Sequence, residues 1–132
     1  MKRSKYIILG EIDIEPLLNM KKICQRILTR AEDEIDEMAA VQAFEVSYEL
    51  AWHTCQKVLR YKGEEVRFPR DVFRLSAEMG LIKDPEIWFD FMDKRNETSH
   101  AYDINILEEV FSLLPEFLKE FNYLIKNLQK LK

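Results

Sequence analysis

The sequence predicts an all-α fold, a bundle of four long helices with one additional short helix. Three observations carry that prediction. Only three glycines and four prolines interrupt 132 residues, so long unbroken elements are allowed. Apolar residues recur at three- and four-residue steps through most of the chain, the period of a helix with one buried face. No segment alternates with period two, so no strand is expected. The length suits one domain, residues 1–132, with a core of its own. A composition of 47% apolar and 33% charged residues is that of a globular chain and far from disorder.

In chain order, residues 1–10 form an N-terminal arm: the basic Lys2-Arg3-Ser4-Lys5, then an apolar run from Tyr6 to Leu9 that stops at Gly10. From about Asp13, Leu17, Met20, Ile23, Cys24, Ile27, Leu28 and Ala31 share one helical face, with Pro16 in the first turn, where its missing N–H costs little. The acidic run Glu32 to Glu37 is unfavourable at a helix C-terminus and favourable at an N-terminus, which puts a break near residues 33–37. The second helix carries Val41, Phe44, Val46, Tyr48, Ala51, Trp52, Cys55, Val58 and Leu59 and ends before Gly63. Its wide apolar stripe marks it as the centre of the bundle. Phe68-Pro69 opens the short helix, which Gly80 closes. Asp84-Pro85 is an N-cap acceptor followed by proline at the first helical position, and Ile87, Trp88, Phe91 and Met92 give the next helix its apolar face. Asp103 caps the last helix, whose stripe runs from Ile106 to Leu128. Pro115 must kink that helix or mark a step in it.

A net charge of −4 argues against the broad basic footprint that nucleic-acid backbones require, and no DNA partner is expected. The apolar run at residues 6–9 is too short for a signal-peptide core or a membrane span, so the expected location is the cytoplasm. Cys24 and Cys55 each sit in an apolar stripe, without paired spacing, and read as core residues. His53 lies one residue off its helix's stripe and reads as a solvent-edge histidine, since no second ligand accompanies it at metal spacing. No metal and no cofactor are expected.

Chemistry concentrates between two helical patterns, at Lys94 to Asp103. Continuing the period from Phe91 and Met92 brings Arg95 to the edge of the apolar face, where it either reaches solvent or lines a cleft. His100 follows five residues later, a rotation of about 140° on an ideal helix, so the two cannot share a face unless the helix ends between them or a two-fold dimer joins two copies. Thr98, Ser99 and Asp103 favour helix ends and support the first route. The set suits RNA cleavage without a metal. A histidine can take a proton from a ribose 2′-OH or give one to the leaving oxygen. Arg95 would neutralise charge on the phosphate. Asn96 could orient the substrate or the histidine, and Tyr102 could stack on a base or carry a modification. The competing reading is a polar junction: His100 as a helix-end cap, Arg95 bonded to carbonyls, Tyr102 packed on the bundle. Arg67, Arg70 and Arg74, near the start of the short helix, are either a solvated face or a patch for phosphate or an acidic partner.

The motif has company. Phe44-Glu45-Val46-Ser47-Tyr48-Glu49-Leu50-Ala51-Trp52, Pro69-Arg70-Asp71-Val72-Phe73-Arg74, Gly80-Leu81-Ile82, Trp88 and Arg95-Asn96-Glu97-Thr98-Ser99-His100-Ala101-Tyr102-Asp103 follow one another in order. Together they resemble the nucleotidyltransferase substrate-binding subunits, a branch of the HEPN superfamily of small helical bundles. The resemblance implies an antiparallel, up-and-down four-helix bundle that forms homodimers and partners a separate minimal nucleotidyltransferase. Related HEPN proteins are toxins of toxin–antitoxin pairs that cleave RNA with an Arg-x4-His motif and are silenced when the partner adds AMP to the tyrosine of Arg-x4-His-x-Tyr. Carried over residue by residue, the resemblance implies catalytic Arg95 and His100, with Asn96 as the polar residue after the arginine, and AMP acceptance at Tyr102; Arg70, Arg74 and Ser99 are candidate contacts to substrate or phosphate from their own chemistry and not from the motif. The ligand it implies is RNA or a nucleotide; the alternative is a bundle without catalysis that only holds the nucleotidyltransferase's substrate.

Overall fold

The computed structural model describes residues 5–131; the basic residues Lys2 and Arg3 of the arm, with Ser4, lie outside them. Five helices follow a small hairpin: β1 (Ile7–Ile8), β2 (Ile12–Asp13), α1 (Glu15–Arg30), α2 (Glu34–Tyr61), α3 (Pro69–Glu78), α4 (Pro85–Glu97) and α5 (Ile104–Gln129), with a 3-10 turn at Thr98–His100. The result is a helical bundle with α2 at its centre, in contact with each of the other four helices. No helix among the described residues is long and apolar enough to cross a membrane.

The hairpin corrects the expectation of a strand-free chain. β1 and β2 pair antiparallel, with Ile7 opposite Asp13 and Ile8 opposite Ile12. Two-residue strands are too short for alternation to be read. Leu9 and Gly10 turn the chain at φ 52° and 76°, a left-handed conformation that costs little at glycine and more at leucine. Burial of Ile8, Leu9, Ile12 and Ile14 offsets that cost, so Ile8 and Leu9 of the arm are part of the core.

The break between the first two helices falls at Asp33, inside the acidic run. Its carboxylate accepts from the N–H groups of Ile35 and Asp36, both at 3.1 Å. Asp36 reaches back to accept from Glu32 at 2.7 Å and Asp33 at 3.2 Å, completing a capping box. Those N–H groups, that of Glu32 first, hold the Asp36 carboxyl below the usual carboxylate range.

An aromatic cluster joins the remaining layers. Phe117 of α5 meets Phe44 of α2 edge-on at 5.0 Å and Phe91 of α4 at 5.1 Å, and Trp88 stacks on Phe73 of α3 at 5.3 Å. All five rings are buried. Cys24 and Cys55 are buried free thiols, as their stripes predicted. Two stripe assignments shift outward: Ile23 is 41% exposed and Val46 40%. Periodicity locates a face but not which part of it a neighbouring helix covers. Pro115 makes no step, because α5 runs through it as one helix. The proline sits on the exposed side, where water can reach a carbonyl left without its N–H partner.

Candidate functional site

The residues of interest meet where α4 ends. Thr98 leaves the helix, its N–H still reaching the carbonyls of Lys94 and Arg95, and the chain tightens into the 3-10 turn. Asp103 then starts α5 by accepting from the Asn105 N–H at 2.9 Å. The helix is therefore broken between Arg95 and His100, and the two side chains leave the break in different directions.

Arg95 turns inward against α2. Its Nη1 donates to Thr98 Oγ1 at 3.1 Å and lies 3.1 Å from Glu45 Oε2. Its Nε is buried, 3.5 Å from Glu49 Oε1, without making a hydrogen bond. Thr98 Oγ1 is 2.8 Å from Glu45 Oε2, closing a triangle of arginine, hydroxyl and carboxylate. Glu49 extends the network: Oε2 accepts from Trp52 Nε1 at 2.9 Å and lies 3.4 Å from His53 Nε2. The His53 ring lies over the Trp52 indole with centroids 3.9 Å apart.

Arg95, Glu45, Glu49 and His53 line a groove of about 610 Å³ together with the apolar side chains of Met38, Val41, Val46, Leu50 and Leu107. His100 is not among its lining residues. It faces solvent, where Nδ1 sits 3.0 Å from Tyr102 Oη and the two rings meet edge to face at 87°. Tyr102 is 83% exposed, the most accessible large hydrophobic side chain among the described residues. Within one chain, then, His100 and Tyr102 are together and Arg95 stands apart with the carboxylates of α2.

The other predicted residues scatter. Ser99, on the 3-10 turn, donates to the carbonyl of Asn96, in the last turn of α4, at 3.1 Å, and both residues are exposed. The Arg70 and Arg74 guanidiniums lie over Phe89 at 4.6 and 5.5 Å, and Arg74 also meets Asp71 at 3.4 Å. Arg67 and Arg74 line a separate hollow between the α2–α3 connection and α3, not the Arg95 groove. Among the described residues no three His, Cys, Asp or Glu side chains converge as metal ligands.

Residues 15–130 match the family of nucleotidyltransferase substrate binding protein like chains. The chain belongs to that family. A relative of this nucleotidyltransferase substrate-binding chain, a probable ribonuclease HepT from Haemophilus influenzae, is 30% identical over 96 residues, a stretch covering 69% of this chain and 66% of that one. Two solved structures share the fold. One, from Thermus thermophilus, has 24% identity and a TM-score of 0.79 over 86% of this chain and 99% of its own. The other, from Haemophilus influenzae and described as the fold of a substrate binding domain of a nucleotidyltransferase, has 23% identity and a TM-score of 0.80 over 89% and 99%.

For this family member, motif reading alone missed Glu45 and Glu49 as the partners of Arg95. A signal was present: Glu45, Glu49 and His53 are spaced four residues apart and so fall on one side of α2. What the sequence lacks is the information that this side faces the end of α4.

Proposed function

We propose that the chain is the substrate-binding subunit of a two-component nucleotidyltransferase system, acts as a homodimer, and cuts RNA without a metal at Arg95 and His100. The observation that carries the reading is the Arg95-x4-His100-x-Tyr102 motif astride a helix break, with His100 Nδ1 already engaged by Tyr102 Oη at 3.0 Å. With Nδ1 oriented in this way, Nε2 is the nitrogen left to work on substrate. The ribose 2′-oxygen attacks the adjacent phosphorus, the bond to the 5′-oxygen breaks, and products are a 2′,3′-cyclic phosphate and a 5′-hydroxyl. His100 takes the 2′-OH proton or protonates the departing oxygen, while Arg95 neutralises charge gathering on the phosphate. Asn96, exposed beside Arg95 in the last turn of α4, orients the substrate.

Homodimerisation supplies what one chain lacks, because His100 does not line the groove that holds Arg95. A two-fold pairing across the apolar side chains of the groove brings the motifs of both copies to one cleft. In this reading silencing acts on the same turn. The exposed Tyr102 oxygen attacks the α-phosphorus of ATP on the partner enzyme, pyrophosphate leaves, and the attached AMP places a phosphodiester where the phenol met His100. Arg70 and Arg74 serve as outlying phosphate contacts along the bound strand, and Ser99 as a contact beside the turn.

The test is RNA cleavage by the purified chain, free of its partner and with a chelator present. His100→Ala should abolish cutting with the melting temperature unchanged; cutting that survives the substitution refutes the assignment. Co-incubation with the cognate nucleotidyltransferase and ATP should add one AMP, lost in Tyr102→Phe. A second reading has its own support in the groove's two carboxylates and apolar side chains, which suit a non-catalytic subunit holding the enzyme's substrate. That reading predicts a stable complex with the nucleotidyltransferase and no RNA cleavage under any condition.

A further inference from the structure

We infer that Glu45 and Glu49 are positioning residues for Arg95, holding the Nη1 and Nε side of its guanidinium so that the Nη2 edge is presented to a phosphate. This rests on the reading of Arg95 as the phosphate-binding group. Three observations lead to it. Glu45 and Glu49 stand one helical turn apart on α2 and approach two different nitrogens of the same guanidinium, at 3.1 and 3.5 Å. Thr98 ties the arrangement to the motif by contacting both Arg95 Nη1 and Glu45 Oε2. Among the described residues, the guanidinium makes one hydrogen bond, from Nη1, so Nη2 is free to donate to a ligand.

The charge balance separates positioning from simple attraction. Two carboxylates, Glu45 and Glu49, face the one Arg95 guanidinium, so these three groups lack the positive excess that simple attraction of an anion needs. Such a set weakens the ground-state capture of an anion. What the carboxylates add is a fixed orientation of a long, otherwise rotamer-rich side chain, which acts on the transition state through geometry. Glu49 is itself held by Trp52 Nε1, so the chain of contacts Trp52, Glu49, Arg95 runs from a part-buried indole to the site. The buried Nε–H, close to Glu49 yet unbonded, leaves room for a small rotation that completes the pair when a phosphate draws on Nη2.

The experiment compares the full-length chain with Glu45→Gln/Glu49→Gln, which keeps size and one acceptor oxygen on each side chain and removes both charges, and with Glu45→Asp, which keeps the carboxylate. The first readout is the Arg95 Nε–H signal in a 15N-labelled sample. It should be slowly exchanging in the unmodified chain, broadened or lost in the double Gln variant, and partly restored in Glu45→Asp. The second is steady-state cleavage of an RNA oligonucleotide, where kcat should fall about tenfold or more with KM unchanged or lower. An Arg95 signal indifferent to the substitutions overturns the inference, as does a kcat that holds or rises, since the carboxylates would then only obstruct the site. If the unmodified chain cuts no RNA, the nuclease reading fails by itself, and the Nε–H signal still decides whether the carboxylates hold Arg95.

Discussion

Replacing Thr98 by valine measures how firmly the motif is tied to the centre of the bundle. Thr98 is 4% exposed, and its hydroxyl accepts from Arg95 Nη1 at 3.1 Å and lies 2.8 Å from Glu45 Oε2 and 2.6 Å from the Arg95 carbonyl. It carries a single proton, which the carboxylate, the stronger acceptor, takes. Valine matches the shape and removes both interactions. Hydrogen bonds to charged groups contribute roughly 1.5–3 kcal/mol each, but the side chains of Arg95 and Glu45 are about a third exposed, at 31% and 30%, so water recovers part of the loss. The extra methyl returns up to about 0.8 kcal/mol. The net expectation is a loss of about 2 kcal/mol. Urea denaturation of both proteins at neutral pH reads it as a shift in midpoint at unchanged slope. A cycle with Glu45→Gln should show that the two substitutions are not additive. A loss below about 0.5 kcal/mol, or strict additivity, refutes the tie between α2 and the turn.

Three further outcomes are expected. Phe117→Ala removes the ring on which Phe44, Phe91, Trp88 and Phe121 converge and should cost about 3–5 kcal/mol by denaturant titration, because the hole lies between three helices and closes poorly. Asp33→Ala dismantles the capping box of α2 and should cost about 1 kcal/mol, a value that Ile35→Ala, on an exposed side chain of the same turn, should not approach. Burial pushes the Cys55 thiol up from its ordinary value of 9.0 to about 12, so its folded pKa lies above its unfolded one. That contribution is fully present below about pH 9 and is lost as the pH rises through the folded value. Stability measured at pH 8 and pH 10 should therefore fall less in Cys55→Ala than in the unmodified chain; equal slopes would show that the thiol does not govern the alkaline decline.

The helices and most of their ends are legible in the chain read residue by residue. Three-to-four periodicity reports which face of a helix is apolar, and Asp33, Pro69, Asp84-Pro85, Gly80 and Asp103 act within a few residues of themselves, so their effects are local. The same locality made the five-residue spacing of Arg95 and His100 informative, since it calls for a helix end or a dimer partner between them; the 3-10 turn ends the helix at Thr98, yet within one chain the two side chains still part. What those ends meet depends on packing. The hairpin at Ile7 to Asp13 escaped notice because two-residue strands show no period, and their stability comes from burial of Ile8 and Ile12 on the bundle. Nothing near Arg95 in the chain announces Glu45, which is fifty residues earlier. Their ion pair, and the parting of Arg95 toward the groove from His100 toward Tyr102, follow from how α4 packs across α2. Local patterning fixes which side chains a helix presents; packing between distant segments fixes which charges they face.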